Sequence, residues 1–354
     1  MKEFKGKKIL IVGGAGFVGS NLANKLLKNS DCKQLIIVDN LISSEVENIP
    51  IDERVKFLQG SIADDALLQQ LDEGLDYVFH LSCYHGNQSS IFDPLKDHEN
   101  NTITSLKLFN HLERFSNLKK VVYAAAGCAV AEKTYDDAEE TLEDAPISLF
   151  HDSPYSISKL IGEFYGNYFF LKNNFPFVKA RFQNVYGPRE ILGAGRWRGT
   201  PHTVWRNVTP TFIWKALHDE ELPLDNGGET SRDFIYVEDL VSGLIHCAIS
   251  GTPGEAYNLA SGVETKILEL AEKIIKISNS KSHLKIMPAR NWDRSGRRFG
   301  STKKSKKELG FSAKVALHEG LESTILWTKD NYELIKKNIL KHEISVPDVK
   351  KYHS

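Results

Sequence analysis

Near the start of the chain, Ile9-Leu10-Ile11-Val12-Gly13-Gly14-Ala15-Gly16-Phe17-Val18-Gly19 runs from a short apolar stretch into four glycines, and an amphipathic stretch begins at about Phe17. An apolar run of this length reads as a buried strand and the periodic stretch after it as a helix. Glycines between them permit positive φ, let a pyrophosphate approach the backbone and let the helix pack close to the strand. The helix start then offers free N–H groups and a positive dipole end to an anion. A glycine-rich turn alone is weak evidence for a ligand. Here a second strand ends in Asp39, twenty residues past Gly19, where a carboxylate would bind a ribose 2′-hydroxyl and repel a 2′-phosphate. The two features together point to NAD rather than NADP.

Working outward, the same alternation continues. Residues 9–12, 34–38, 55–58, 77–81, 121–125 and 178–182 are strand-like, and 19–29, 64–71, 101–115 and 154–171 carry helix-period apolar positions. A β-α-β-α order predicts an α/β fold, because parallel neighbours need crossover helices and those helices cover both faces of the sheet. The expected architecture is a Rossmann doubly wound parallel sheet with a smaller C-terminal α/β substrate-binding lobe. Residues 1–186 make the NAD-binding domain, rejoined by about 233–260, and 187–232 with 261–354 make the second lobe. The Gly-, Pro- and Trp-rich segment from Gly187 to Pro210 precedes a helix at 211–220, and 232–237 reads as a strand leading into a helix. The run Lys303, Lys304, Lys306, Lys307 reads as a solvated helix face.

Composition narrows the function classes. With 45 Lys+Arg against 46 Asp+Glu in 354 residues, the chain lacks the basic footprint of a nucleic-acid binder, so a small-molecule partner is expected. Cys32, Cys83, Cys128 and Cys247 are scattered, without zinc-site spacing, which fits a reducing compartment and no metal. No apolar stretch is long enough for a membrane span and the N-terminus has no signal-peptide pattern, so a cytoplasmic location is expected.

Ser153-Pro154-Tyr155-Ser156-Ile157-Ser158-Lys159 opens the predicted helix at 154, with Pro in its first turn. Tyr155 and Lys159 project from one helix face. A phenol is a poor base at neutral pH, and both an adjacent ammonium and a nicotinamide cation favour its phenolate. Taken alone the spacing is common in ordinary helices; the upstream dinucleotide loop gives it a hydride-transfer reading.

Taken in order, Gly13 to Gly19, Asp39, His80-Leu81-Ser82, Asp93-Pro94, Asn101, Tyr155/Lys159, Arg181-Phe182-Gln183-Asn184-Val185-Tyr186-Gly187-Pro188-Arg189 and Ser231-Arg232-Asp233-Phe234-Ile235-Tyr236-Val237-Glu238-Asp239 span nearly the whole chain. Together they resemble an extended short-chain dehydrogenase/reductase of the NAD-dependent nucleotide-sugar epimerase/dehydratase kind, UDP-glucose 4-epimerase-like. The resemblance implies a tightly held NAD, a nucleoside-diphosphate sugar as substrate and a homodimer built from the helices at 101–115 and 154–171. It assigns Gly13, Gly16, Phe17, Val18, Gly19, Asp39, Asn40, Ser61, Ile62, Leu81, Ser82, Asn101, Tyr155 and Lys159 to the cofactor. Asn184, Asn207 and Val208 resemble diphosphate-contacting positions, and Arg232, Arg290 and Asp293 those holding the nucleoside diphosphate. His85, Asn87 and Gln88 would face the sugar, and the Trp197–Pro201 and Trp205-Arg206 segments would close over it.

One departure stands out. The family usually has a Ser or Thr beside the reacting hydroxyl, where this chain reads Tyr123-Ala124-Ala125-Ala126-Gly127-Cys128. Losing that donor costs on the order of 1–3 kcal/mol unless another group replaces it. Cys128 occupies a position where resembling dehydratases carry a general-base Glu and a 3,5-epimerase branch a Cys; a small buried thiol is the plainer reading. Three readings follow. The simplest is epimerisation at C4 by Tyr155 with Lys159. The second is another 4-keto-dependent reaction, such as 3,5-epimerisation, dehydration or decarboxylation, using Cys128 or His85. The third is a catalytically weakened NAD or nucleotide-sugar binding protein, against which the intact Tyr155/Lys159 pair argues.

Overall fold

The computed structural model describes residues 1–84, 86–129, 134–293 and 296–353, and the backbone but not the side chain of Cys128. Its first half contains β1 Lys8–Val12, α1 Phe17–Asn29, β2 Gln34–Asp39, β3 Val55–Gln59, α2 Asp65–Leu68, β4 Tyr77–His80, α3 Asn87–Phe92, α4 Pro94–Asp97, α5 Thr104–Leu112, β5 Lys120–Ala126, β6 Glu140–Thr141, α6 Pro154–Asn173, β7 Phe177–Phe182 and β8 Asn184–Tyr186. Then come α7 Val208–Leu217, β9 Leu222–Asp225, β10 Ser231–Tyr236, α8 Val237–Ser250, β11 Ala256–Leu259, β12 Glu264–Lys266, α9 Ile267–Ser278, β13 Leu284–Met287, β14 Phe299–Gly300, α10 Leu317–Asp330 and α11 Tyr332–Leu340.

Seven strands form one sheet in the order β3–β2–β1–β4–β5–β7–β11, and every neighbouring pair is parallel. The chain winds outward from β1 to β3, then crosses back to β4 and onward, which makes the β1/β4 boundary the switch point of a Rossmann sheet. Successive side chains of a strand face opposite ways. On β1, Ile9 and Ile11 therefore join one core with Leu22 of α1 and Leu240 and Leu244 of α8, while Leu10 and Val12 join another with Leu108 and Leu112 of α5. Both faces are covered, which is why these strands read as unbroken apolar runs. A further core gathers Phe212 and Ile213 of α7, Leu222 and Leu224 of β9, Leu270 and Ile274 of α9 and Leu321 and Ile325 of α10.

Several boundaries differ from the sequence reading. The helix expected at 64–71 shrinks to α2, capped by Asp64 accepting from Ala66 N. The helix expected at 101–115 ends at Leu112 and is preceded by a wide π-type turn at His98–Ile103. The lysine run does lie on an exposed helical turn, where Lys303 pairs with Glu140 and Lys304 with Glu255 at 2.6 Å.

Helix α6 carries the Tyr-Lys pair, and its seat is tightly specified. Ser153 caps it by accepting from Ser156 N, Pro154 occupies the first turn and Asn174 ends it at φ 58°. Its underside is bare backbone at two places. A Cβ on Gly162 would lie 2.2 Å from the Tyr123 hydroxyl of β5, and one on Gly166 would lie 2.0 Å from the Phe177 ring of β7. Glu163 then takes a two-pronged, buried pair of bonds from Arg181 of β7, Nε to Oε1 at 2.9 Å and Nη2 to Oε2 at 2.8 Å.

These contacts yield two expected outcomes. Gly166→Ala forces a methyl into Phe177 and should cost about 1–3 kcal/mol of unfolding free energy, read from denaturant midpoints. Arg181→Ala strands the Glu163 carboxylate and should cost about 3–5 kcal/mol, with Arg181→Ala/Glu163→Ala recovering part of the loss in a double-mutant cycle.

Candidate active site

At the carboxyl ends of the sheet strands a single cleft of about 610 Å³ extends from the β1–α1 turn to β9, β10 and the segment after β13. Its volume lies within the range of small-molecule and cofactor sites.

The first end is built by backbone. Gly13 sits at φ 83°, and a Cβ there would lie 2.7 Å from the backbone of Ser82; at Gly19 it would lie 2.2 Å from Gly13 O. The turn thus excludes side chains for the sake of its own packing. Gly16 is the N-cap of α1 and supplies no capping side chain, so the first-turn N–H groups lie open toward the cleft. Asp39 ties this turn to the chain beyond β2: Oδ2 accepts from Ala15 N at 3.0 Å, and Oδ1 from Leu41 N at 2.9 Å and Ser44 Oγ at 2.7 Å. Burial pushes its pKa up, and the Ser44 and backbone donors pull back toward the charged form. A side-chain-free cradle, an uncapped helix start and a carboxylate at the next strand end fit a dinucleotide.

In the middle of the cleft stand Tyr155 and Lys159. Lys159 is buried; its Nζ donates to Ala124 O at 2.9 Å and lies 6.0 Å from the Tyr155 ring centre and 5.1 Å from that of Tyr123. Its charge registers on His80 below, whose pKa falls to about 3 through burial first and Lys159 second. His80 is therefore neutral, bridging Ser105 Oγ at 2.9 Å and Ser82 Oγ at 3.3 Å. Ala126 lines the cleft and packs with Tyr155 and Leu160, so the position expected to carry a hydroxyl presents a methyl.

The far end carries Arg232, Arg290, Asp293, Asn184, Asn207 and Val208, all of which line the cleft. Arg232 donates Nη1 to Ser231 O at 2.6 Å and Gly296 O at 2.7 Å, with Nη2 3.8 Å from Asp293; Arg290 pairs with Asp225 at 2.5 Å. Asn207 is the N-cap of α7, and its amide donates to Glu190. A second helix start therefore points to where a diphosphate was expected.

Of the sequence-expected residues, Gly13, Gly16, Phe17, Val18, Gly19, Asp39, Asn40, Ser61, Ile62, Leu81, Ser82, Asn87, Tyr155 and Lys159 also line the cleft. Asn101 does not: its Oδ1 accepts from Tyr84 N at 2.6 Å and its amide donates to Asp97 at 2.8 Å and Ser158 at 3.1 Å. That side chain ties the loop after β4 to α6 rather than lining the cleft. Trp197 also departs from expectation, lying 6.0 Å from His342 on the C-terminal segment, whereas Trp205 and Arg206 do line the cleft. His85 and the Cys128 side chain, named for sugar binding and catalysis, lie outside the described residues.

The sequence reading missed Glu190 and His202. Both line the cleft, and burial moves each toward its neutral form, Glu190 up to about 7 and His202 down to about 4. They lie in the Gly/Pro/Trp-rich segment, where no periodicity marks which side chains turn inward.

Known proteins match this architecture. A UDP- and NAD⁺-bound crystal structure of the Bordetella bronchiseptica enzyme WbmF is 54% identical, with a TM-score of 0.87 over 97% of this chain and 98% of that one. A putative UDP-glucose 4-epimerase of Methanocaldococcus jannaschii is 27% identical over 91% of this chain and 99% of its own length. The human dTDP-D-glucose 4,6-dehydratase is 26% identical over 92% and 91%. Residues 9–260 match the family model for NAD dependent epimerases and dehydratases, and with the glycine turn, Asp39 and the Tyr155/Lys159 pair in one cleft, the chain belongs to the NAD dependent epimerase/dehydratase family.

Proposed function

We propose that this chain epimerises a uridine-diphosphate sugar through a 4-keto intermediate, most simply at C4. The observation that carries the reading is Tyr155 and Lys159 standing between a dinucleotide cradle and an arginine-bearing nucleotide end of the same cleft. Bound NAD supplies the hydride acceptor and, in the return step, the donor. Tyr155 takes the proton of the C4 hydroxyl, and Lys159, held by Ala124 O, keeps an ammonium charge beside the phenol that favours its phenolate. The far end anchors the nucleotide while the sugar turns: Arg232 and Arg290 meet phosphate oxygens, and the start of α7 adds backbone donors. The uridine preference is supported by the UDP-bound WbmF relative.

A second reading keeps the 4-keto sugar and moves a proton at C3 or C5. It is favoured by the methyl at Ala126, which leaves the simple hydride shuttle without its usual second hydroxyl.

Turnover of UDP-sugars in D2O separates the two. C4 epimerisation should give product without solvent deuterium, and deuterium at C3 or C5 by NMR would assign the second reaction. Tyr155→Phe should lower kcat by about two to four powers of ten. Ala126→Ser should raise kcat about tenfold if the missing donor limits the rate.

The exposed apolar stripe Ile157, Phe164, Tyr168 and Leu171 recurs along one side of α6, and Leu171 is 82% exposed. We take a second copy of the chain to cover it. Phe164→Glu should convert a dimer to a monomer in analytical ultracentrifugation.

A further inference from the structure

The segment between β8 and α7 brings two arginines inward that the roles above leave without a ligand. Arg198 is 4% exposed. Its Nη1 reaches Ile42 O at 3.4 Å, while Nε and Nη2 are buried without an acceptor among the described residues. Arg206, at the cleft wall, donates Nη1 to Ser43 O at 2.9 Å and Nη2 to Ala194 O at 2.5 Å, and its Nε is likewise buried without an acceptor. A guanidinium is not released from its charge at neutral pH, so buried N–H groups of this kind call for an anion.

Among the described residues no acid fills that role. Glu190 and Glu45 are the carboxylates whose charge reaches Arg206. Glu190 instead accepts from Asn207, and Glu45 accepts from Gly195 N at 2.7 Å and from Lys341. Burial lowers the pKa of both guanidiniums, Arg206 to about 9, which a bound anion would reverse.

The position of the pair selects the anion. Ile42 and Ser43 follow β2, and the ionisable groups that Arg198 faces, Tyr84 and Cys83, follow β4. In the sheet β2 and β4 flank β1, so these two loops border the glycine turn on either side. A dinucleotide's pyrophosphate crosses that turn. We infer that Arg198 and Arg206 clamp the cofactor pyrophosphate from above, opposite the start of α1, an assignment that rests on the NAD reading. The clamp comes from the segment that also presents Asn207 to the substrate, so the cofactor is enclosed by the part of the chain that shapes the sugar site. The C-terminal segment holds that roof down, since His342 Nε2 bonds Gly193 O at 2.8 Å.

The test compares cofactor-stripped full-length protein and its Arg198→Met and Arg206→Met variants by calorimetric titration with ADP-ribose, adenosine and UDP. ADP-ribose carries the pyrophosphate and adenosine does not. Each variant should weaken ADP-ribose binding at least about tenfold, as loss of a charged phosphate contact does, and leave adenosine and UDP within about twofold. Unchanged ADP-ribose affinity overturns the clamp. So does a loss confined to UDP, which would assign the arginines to the substrate's phosphates. Where a Met variant fails to fold, Arg198→Lys and Arg206→Lys keep the charge and lose the planar fork, and should weaken ADP-ribose selectively by a smaller factor; no selective loss overturns the proposal. A wild-type chain that binds neither ADP-ribose nor NAD would instead refute the cofactor reading beneath it.

Discussion

Backbone meets backbone where β1 turns into α1, and the site depends on that contact. Gly13 lies against Ser82 and Gly19 against Gly13 so closely that neither position has room for a Cβ. Any side chain there would lift α1 off the sheet, separate the loops after β1 and β4, and remove the uncapped helix start from the cleft. Asp39 reinforces the same turn from the neighbouring strand by accepting from Ala15 N. The residues of the candidate cofactor cradle are thus the residues that let the sheet and its first helix pack.

Close approach recurs beneath α6. Gly162 and Gly166 let the helix settle onto Tyr123 and Phe177, and the Arg181–Glu163 pair fixes its rotation. That seating directs Tyr155 and Lys159 into the cleft, where Lys159 finds Ala124 O as an anchor. The direction of this pair thus follows from packing several residues away along the helix. Asn101 belongs to the same scaffold, since the wide turn that carries it joins Tyr84, Asp97 and Ser158. Such turns are frequent near functional sites because they displace one residue out of the helical ladder.

Electrostatics divides the cleft unevenly. The chain is nearly neutral overall, and positive character is placed locally, by helix starts and by arginines with buried faces. His80 and His202 are held neutral by burial, so neither adds charge of its own. Glu190 stands where burial disfavours a fully ionised carboxylate, against which the Asn207 amide and the nearby Arg206 charge pull only partly. An anionic ligand entering this cleft meets fixed donors already oriented toward it, which limits reorganisation when it binds.

The sheet, its parallel order, the glycine turn, Asp39 and the Tyr155/Lys159 pair were legible in the sequence because each leaves a local mark: an apolar run, a spacing, a turn with its own residue demands. Short-range patterns determine such elements because strand and helix periods and glycine's backbone freedom are properties of neighbouring residues. Tertiary structure alone decided that Asn101 turns inward to scaffold the fold, that Trp197 lies on the C-terminal segment, that Glu190, His202 and Arg206 line the cleft, and that Arg198 is buried beside them, these four from a stretch without periodicity. The two arginines are directed by contacts with Ile42 O and Ser43 O, partners 156 and 163 residues away in sequence, and Asn101 by a bond to Ser158, 57 residues away. No local pattern encodes a contact of that range, so the chain carries its cofactor motif openly and the enclosure of its site only in the folded state.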